Sequence, residues 1–127
     1  MFQIDFSSRV PIYEQLYSGV IKLASAGVLK EGDKLPPVRN LATQLGINPN
    51  TVAKSYKLLE ADGYIFTSVG RGSFVTQKLG ADAARLLEMD NFRQTVRHAN
   101  FYGVDRNELI DIINKIYDGG DLNDWNK

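Results

Sequence analysis

Residues 31–75 read EGDKLPPVRNLATQLGINPNTVAKSYKLLEADGYIFTSVGRGSFV, and this stretch decides the fold of the 127-residue chain. The proline pair that precedes Val38 prevents a helix from starting earlier, because proline disfavours helical backbone in the residue before it. Gly46 is a typical helix stop. The pattern therefore predicts a short helix from Val38 to Leu45.

A second helix is expected after a very short turn. Asn48 is a favoured N-cap residue, Pro49 suits the first position of a helix, and Gly63 ends it. Two helices joined by a tight turn that contains glycine are typical of a helix-turn-helix.

Two short β-strands are predicted directly after this pair of helices. Residues 64–68 and 73–76 are rich in aromatic and β-branched side chains. Gly70 and Gly72 lie between them and permit positive φ in a tight turn. A hairpin directly after a helix-turn-helix is the winged form of that motif.

The segments before this stretch are predicted to hold one more helix. Phe2, Ile4 and Phe6 alternate with polar residues, which favours either a strand or an extended arm. Apolar residues spaced by three and four then predict an amphipathic helix from Pro11 to near Gly27. Residues 29–37 have the composition of a turn-rich connection.

The segment after the hairpin predicts two more helices. Apolar spacing predicts one long helix over residues 79–99, with a break at 100–103. Asp105 and Glu108 form a capping-box pattern that starts a last helix. The predicted fold is mainly α with a small β-hairpin: a winged helix-turn-helix domain over residues 1–77, followed by a helical segment over residues 78–127.

Composition excludes several classes of protein. The chain has no cysteine and a formal net charge of zero, with a balance of +2 over residues 1–77 and −2 over residues 78–127. No apolar run approaches the 18 residues that a membrane span needs, and the start lacks the features of a signal peptide, so we expect a cytoplasmic protein. His98 is the single histidine, which cannot build a metal site, and we expect neither an enzyme nor a cofactor. The roles of His98 and Trp125 stay open.

The stretch quoted above resembles the DNA-binding domain of the GntR family of bacterial regulators. The resemblance extends over about the first 77 residues and is carried by a series of motifs in order: Gly32-Asp33-Lys34-Leu35-Pro36, Arg39, Leu41-Ala42, Asn50-Thr51-Val52, Leu59-Glu60, Gly63 and Gly70-Arg71-Gly72-Ser73-Phe74-Val75. It implies a winged-helix fold that binds operator DNA as a dimer, with an effector or oligomerisation domain after the wing.

The short C-terminal segment and the dipeptide Asn48-Pro49 resemble the YtrA branch of the family, whose members commonly control adjacent transporter operons. Many other relatives carry arginines that contact DNA at the positions of Pro49 and Ala53. This sequence departs from that pattern, so those two contacts do not transfer.

Ten residues are predicted to contact DNA. A recognition helix presents its first residues to base edges in the major groove, where Asn can bond adenine and Thr can bond a phosphate or touch a thymine methyl. The amides of the same turn suit a phosphate, and an arginine at a wing tip can enter the minor groove. Tyr56 fits either the core or the interface, and Asn48 is foremost a cap. The ten are Arg39, Asn48, Asn50, Thr51, Lys54, Tyr56, Lys57, Gly70, Arg71 and Gly72.

The two C-terminal helices are too short to bury both of their apolar faces within one protomer. A homodimer would cover them and present two recognition helices to an inverted-repeat operator. The residues predicted for dimerisation are Leu79, Ala83, Leu86, Met89, Phe92, Val96, Leu109, Ile112, Ile113 and Ile116. We therefore expect a repressor that binds operator DNA. Two alternatives stay open: a protein-interaction module, and a regulator with a small-molecule effector between these helices.

Overall fold

The computed structural model describes residues 2–119, which form five helices and one two-stranded sheet. The elements are α1 (Ile12–Ser25), α2 (Val38–Leu45), α3 (Pro49–Ala61), β1 (Ile65–Ser68), β2 (Gly72–Val75), α4 (Gln77–Phe101) and α5 (Arg106–Tyr117). This order confirms the predicted fold class, a winged helix-turn-helix followed by two helices.

The N-terminal arm carries no strand over residues 2–10, so the extended-arm alternative is correct. Phe2 and Ile4 pack against the core, whereas Phe6 is exposed. The side chain of Gln15 holds the arm on α1: it accepts from the amide of Asp5 at 2.8 Å and donates to the Asp5 carbonyl at 3.0 Å. These two hydrogen bonds fix the N-terminal arm against α1.

The core of the winged helix-turn-helix is built from the apolar stripes of its helices and hairpin. Helix α3 packs against both α1 and α2. Its buried residues lie on the side of the helix opposite its polar residues, as an amphipathic pattern predicts. Gly46 adopts a left-handed conformation with φ of 67° at the end of α2, which allows α3 to start three residues later, at Pro49. The fully buried apolar side chains are Leu16, Val20, Leu35, Val52, Leu59, Ile65, Val75 and Leu79.

The hairpin has a third, very short partner that the sequence analysis missed. Strands β1 and β2 pair antiparallel with Ile65 opposite Val75 and Ser68 opposite Gly72. Residues 32–35, predicted as part of a turn-rich connection, pair with β2 through a bridge between Lys34 and Phe74. The amide of Leu35 donates to the carbonyl of Ser73 at 2.8 Å. The wing is thereby anchored to the loop that precedes α2.

The chain divides into two compact units, Met1–Met89 and Asp90–Lys127, and the division lies inside α4. The sequence placed a boundary at residue 77, which is where α4 begins. Leu79 and Ala83, predicted to face a second protomer, are instead buried in the N-terminal unit at 0% and 3% exposure. Leu86 also packs against that core. The first turns of α4 are therefore part of the winged domain.

Residues 90–119, the described part of the C-terminal unit, contain no buried apolar side chain. None of the twelve residues of α5 is buried, and Ile112 and Ile116 are about half exposed. The predicted capping box is confirmed, because the amide of Asn107 donates to Asp105 and the Asp105 amide donates to Glu108. Across residues 2–119, no helix is both long and apolar enough to cross a membrane. Trp125 lies outside the described residues.

Candidate nucleic-acid interface

The start of α3 is exposed and firmly capped. The Asn48 side-chain oxygen accepts from the amide of Asn50 at 2.8 Å, which confirms the predicted N-cap. Pro49 has no amide hydrogen, and the Thr51 amide donates to the Asn48 carbonyl at 3.0 Å. The amides of residues 49–51 are therefore not free for a phosphate, contrary to the prediction. The side chains of Asn50 and Thr51 remain the groups that this turn offers to DNA.

A polar face continues along α3 from this first turn. Lys54 follows Asn50 by four residues and Thr51 by three, and Lys57 follows Lys54 by three, so these residues share one face of the helix. Both lysines are exposed. The opposite face, with Val52 and Leu59, is fully buried. Helix α3 therefore offers one side to the core and the other to a ligand.

Arg39 lies in the first turn of α2 and is exposed. Within residues 2–119 its guanidinium has no hydrogen bond or ion pair. A guanidinium presents five donors that match phosphate oxygens or the acceptor edge of guanine. Its DNA contact stays a prediction, and its exposed position in the helix that precedes α3 suits that role.

Tyr56 is the one predicted contact that lies in the core. Its side chain is 8% exposed, and its hydroxyl donates to the carbonyl of Pro36 at 2.6 Å. Burial raises the pKa of Tyr56 to about 12. The bond ties α3 to the loop before α2, so Tyr56 supports the interface from the core and its hydroxyl is not available to a base.

The wing tip is a tight turn that only glycine accommodates easily. Gly70 has φ of 78° and Gly72 has φ of 118°, as the sequence predicted for a turn with positive φ. A Cβ atom on Gly72 would lie 2.7 Å from Cε of Lys34, so the flexible end of that lysine would also have to move. Arg71 is exposed between the two glycines, and its amide closes the turn on the carbonyl of Ser68 at 2.9 Å.

The wing is braced from both sides. The rings of Phe66 and Phe74 stack with centroids 5.5 Å apart across the strands. The amide of Thr67 donates to the carboxylate of Glu60 at 3.0 Å, which links the hairpin directly to α3. Arg71 is therefore carried on a hairpin that is fixed relative to the recognition helix.

Two residues near this surface were not predicted as site residues, Lys34 and Tyr13. Lys34 lines, together with Arg71, a groove of about 370 Å³ between the wing and the loop before α2. Tyr13 of α1 lies under Lys54, with the ammonium 3.9 Å from the ring centroid. Both depend on contacts between segments distant in sequence. The Gly-Asp-Lys-Leu-Pro motif marks Lys34, but no local pattern marks Tyr13.

Comparison with known proteins identifies the class of this interface. The sequence pattern of the family described as "Bacterial regulatory proteins, gntR family" matches residues 12–75, about half of the chain. The chain is 38% identical to the HTH-type transcriptional repressor YtrA of Bacillus subtilis (strain 168), over 98% of this chain and 100% of that protein. The chain belongs to the GntR family. Its similarity to YtrA over the full length confirms the predicted branch.

Solved structures of GntR-type proteins share the fold. A GntR family transcriptional regulator from Listeria monocytogenes matches with a TM-score of 0.63 and 27% identity, over 88% of this chain and 98% of that one. The DNA-binding domain of AraR in complex with operator ORX1 matches with a TM-score of 0.52 and 26% identity, over 60% of this chain and 93% of that one. As a GntR family member, the chain is a DNA-binding transcription regulator and not an enzyme.

Proposed function

We propose that this GntR regulator is a repressor that binds an inverted-repeat operator as a homodimer. The observation that carries the proposal is the first turn of α3, with exposed Asn50 and half-buried Thr51, fixed relative to a wing that ends in Arg71. Such a turn suits base edges in the major groove, and a cationic hairpin tip suits the narrow minor groove beside it.

The individual contacts follow from chemistry and exposure. Asn50 reads a base edge, and Thr51 bonds a phosphate or packs on a thymine methyl. Arg39, Lys54 and Lys57 bind phosphates, which supplies affinity without sequence preference. Because the charge balance of residues 1–77 is only +2, one domain alone binds weakly, and two linked domains bind more tightly.

The C-terminal unit supports the dimer. Its apolar residues Phe92, Val96, Leu109, Ile112, Ile113 and Ile116, here called the C-terminal apolar set, are all half-buried or exposed. Exposed apolar side chains clustered on two short helices are unfavourable in water and typical of an interface. The occupant we propose is the same set in a second copy, because a two-fold pair brings each face onto itself. Met89 is exposed just before this set.

A small-molecule effector is a second candidate for the same unit. A groove of about 480 Å³ lies between the end of α4 and α5, and its lining includes Phe92, Val96, Ile113 and the cations Arg97 and Arg106. Release of the protein from DNA by an added metabolite would establish this role. The resemblance to the YtrA branch supports control of a transporter operon. It also supports a location in the cytoplasm, because a repressor must reach its operator DNA there.

Selection of bound sequences from random DNA tests the proposal. We expect a palindromic consensus with half-sites about 10 base pairs apart, or farther if the domains splay. Thr51→Ala and Arg71→Ala should weaken binding to that consensus while the melting temperature stays unchanged. Lys22→Ala, an exposed lysine in the last turn of α1, is the matched control. Binding to the consensus no tighter than to scrambled DNA at equal salt would overturn the proposal.

A further inference from the structure

We propose that Tyr13 is a positioning residue for DNA binding: the face of its ring holds Lys54 in the conformation in which the ammonium meets a DNA phosphate. The inference rests on the proposed function, because it requires that the polar face of α3 meets DNA. It adds α1 to an interface that otherwise consists of α2, α3 and the wing.

The geometry places the pair on the DNA-facing side of the recognition helix. Lys54 is exposed and continues the face of Asn50 and Thr51, while Tyr13 lies in the first turn of α1, the helix that packs on α3. The Lys54 ammonium lies 3.9 Å from the centroid of the Tyr13 ring. A cation over an aromatic face within about 6 Å is attracted by the negative charge of that face.

This contact leaves the ammonium available to DNA. An ammonium has three N–H donors, and a ring on one side of it leaves the others directed to solvent. No carboxylate within residues 2–119 forms an ion pair with Lys54, so a phosphate would not have to displace an anion. The aromatic face therefore orders the side chain without neutralising its charge.

The gain in DNA affinity arises because the Lys54 side chain is ordered before DNA binds. A lysine side chain loses much rotamer freedom when it is fixed against a phosphate, and that loss opposes binding. A side chain that is already held in the free protein loses less. Tyr13 is expected to strengthen the phosphate contact of Lys54 without touching DNA itself.

The second lysine–tyrosine pair of the N-terminal unit is a natural control. The Lys78 ammonium lies 5.2 Å from the ring centroid of Tyr64 and donates to the Asp62 carbonyl at 2.9 Å. Asp62 is the C-cap of α3, at the opposite end of that helix from Asn50. The same chemistry is thus present far from the face assigned to DNA.

The experiment measures the binding of a fluorescein-labelled duplex of random sequence at several KCl concentrations, because a phosphate contact does not depend on base sequence. Lys54→Ala should weaken binding about five- to tenfold and reduce the salt slope by about 0.9, the value for one phosphate. Tyr13→Leu should weaken binding about two- to fivefold, because the unheld Lys54 side chain then loses more rotamer freedom when it meets a phosphate. Tyr13→Phe, which keeps the ring face, should bind like the wild type, as should Lys78→Ala.

The double variant decides between positioning and direct contact. Added to Lys54→Ala, Tyr13→Leu should cause no further loss, because nothing remains to position. A full additional loss would overturn the inference, as would a Tyr13→Phe variant as weak as Tyr13→Leu. If Arg71→Ala weakens binding while Tyr13→Leu does not, this inference fails and the proposed function stands. If the wild type binds the duplex without salt dependence, the proposed function itself fails. Thermal melts of each variant separate a loss of folding from a loss of binding.

Discussion

The N-terminal and C-terminal units carry apolar stripes of the same helical spacing and use them differently. In the N-terminal unit, Leu16, Leu59 and Leu79 are at most 1% exposed. In the C-terminal unit, Phe92, Ile112 and Ile116 are 46–51% exposed. One unit buries its apolar stripes within a single chain, and the other leaves its apolar side chains exposed on the surface of that chain. Helical spacing tells which side of a helix is apolar, but not what covers it.

The largest effect is expected in the core of the N-terminal unit. Leu59→Ala removes a fully buried side chain and should lower the free energy of unfolding by about 3 kcal/mol, within the usual range of about 2–5. Its neighbour Leu58, on the same helix and 39% exposed, is the matched control and should cost less than about 1 kcal/mol as alanine. Urea unfolding followed by circular dichroism measures both. Equal losses would contradict the placement of the core.

A charge in the C-terminal apolar set should instead act on assembly. Ile112→Asp places an unpaired carboxylate in the proposed dimer interface, where desolvation is unfavourable. We expect a monomer at concentrations at which the wild type is a dimer. We also expect operator binding at least tenfold weaker, about 1.4 kcal/mol.

Asn114→Asp adds the same charge to α5 outside the apolar set and is the control. Sedimentation equilibrium measures the mass of each variant. A wild-type protein that is monomeric, or an Ile112→Asp variant that stays dimeric, would refute the assigned interface. The unfolding of the N-terminal unit should be the same in both variants.

Removing one helix cap from each unit compares the two units again, with smaller expected effects on stability. Asn48→Ala removes the cap of α3 and should lower the free energy of unfolding of the N-terminal unit by about 1 kcal/mol. Asp105→Ala removes the capping box of α5, a helix without buried residues, and should reduce helix content without shifting that main transition. Far-ultraviolet circular dichroism with urea titration measures both. A shift of the main transition by Asp105→Ala would show that α5 stabilises the N-terminal unit.

Elements marked by local chemistry could be predicted from the sequence. The Asn48 cap, the Gly46 stop and the glycine turn around Arg71 are each fixed by two or three neighbouring residues, and each lies where it was predicted. The candidate site could be predicted in the same way, because the family motifs lie in these same short segments. Five helices and a hairpin follow from such signals.

Features that need two distant segments could not be predicted in this way. Leu79 and Ala83 have the same spacing as Phe92 and Val96, yet only the first two are buried. Tyr56 fits the core and the interface equally well by periodicity. Its place in the core is decided by the Pro36 carbonyl, 20 residues earlier in the chain.

The last effect concerns that buried hydroxyl and depends on pH. Tyr56→Phe loses the bond to Pro36 and should lower the free energy of unfolding by about 1 kcal/mol at neutral pH. The pKa of Tyr56 is raised by burial from 10.0 to about 12, so between these values the unfolded chain releases this proton while the folded chain keeps it. The unfolded state then binds fewer protons, and stability falls as pH rises.

The phenylalanine variant has no proton to release at this position, so the advantage of the wild type should shrink from pH 10 to pH 12. Urea unfolding of the two proteins side by side measures this difference, and the other tyrosines and lysines cancel because both proteins share them. A constant difference across the window would mean that the hydroxyl titrates as in the unfolded chain. That outcome would remove Tyr56 from the core, and with it the bond that sets α3 against the loop before α2.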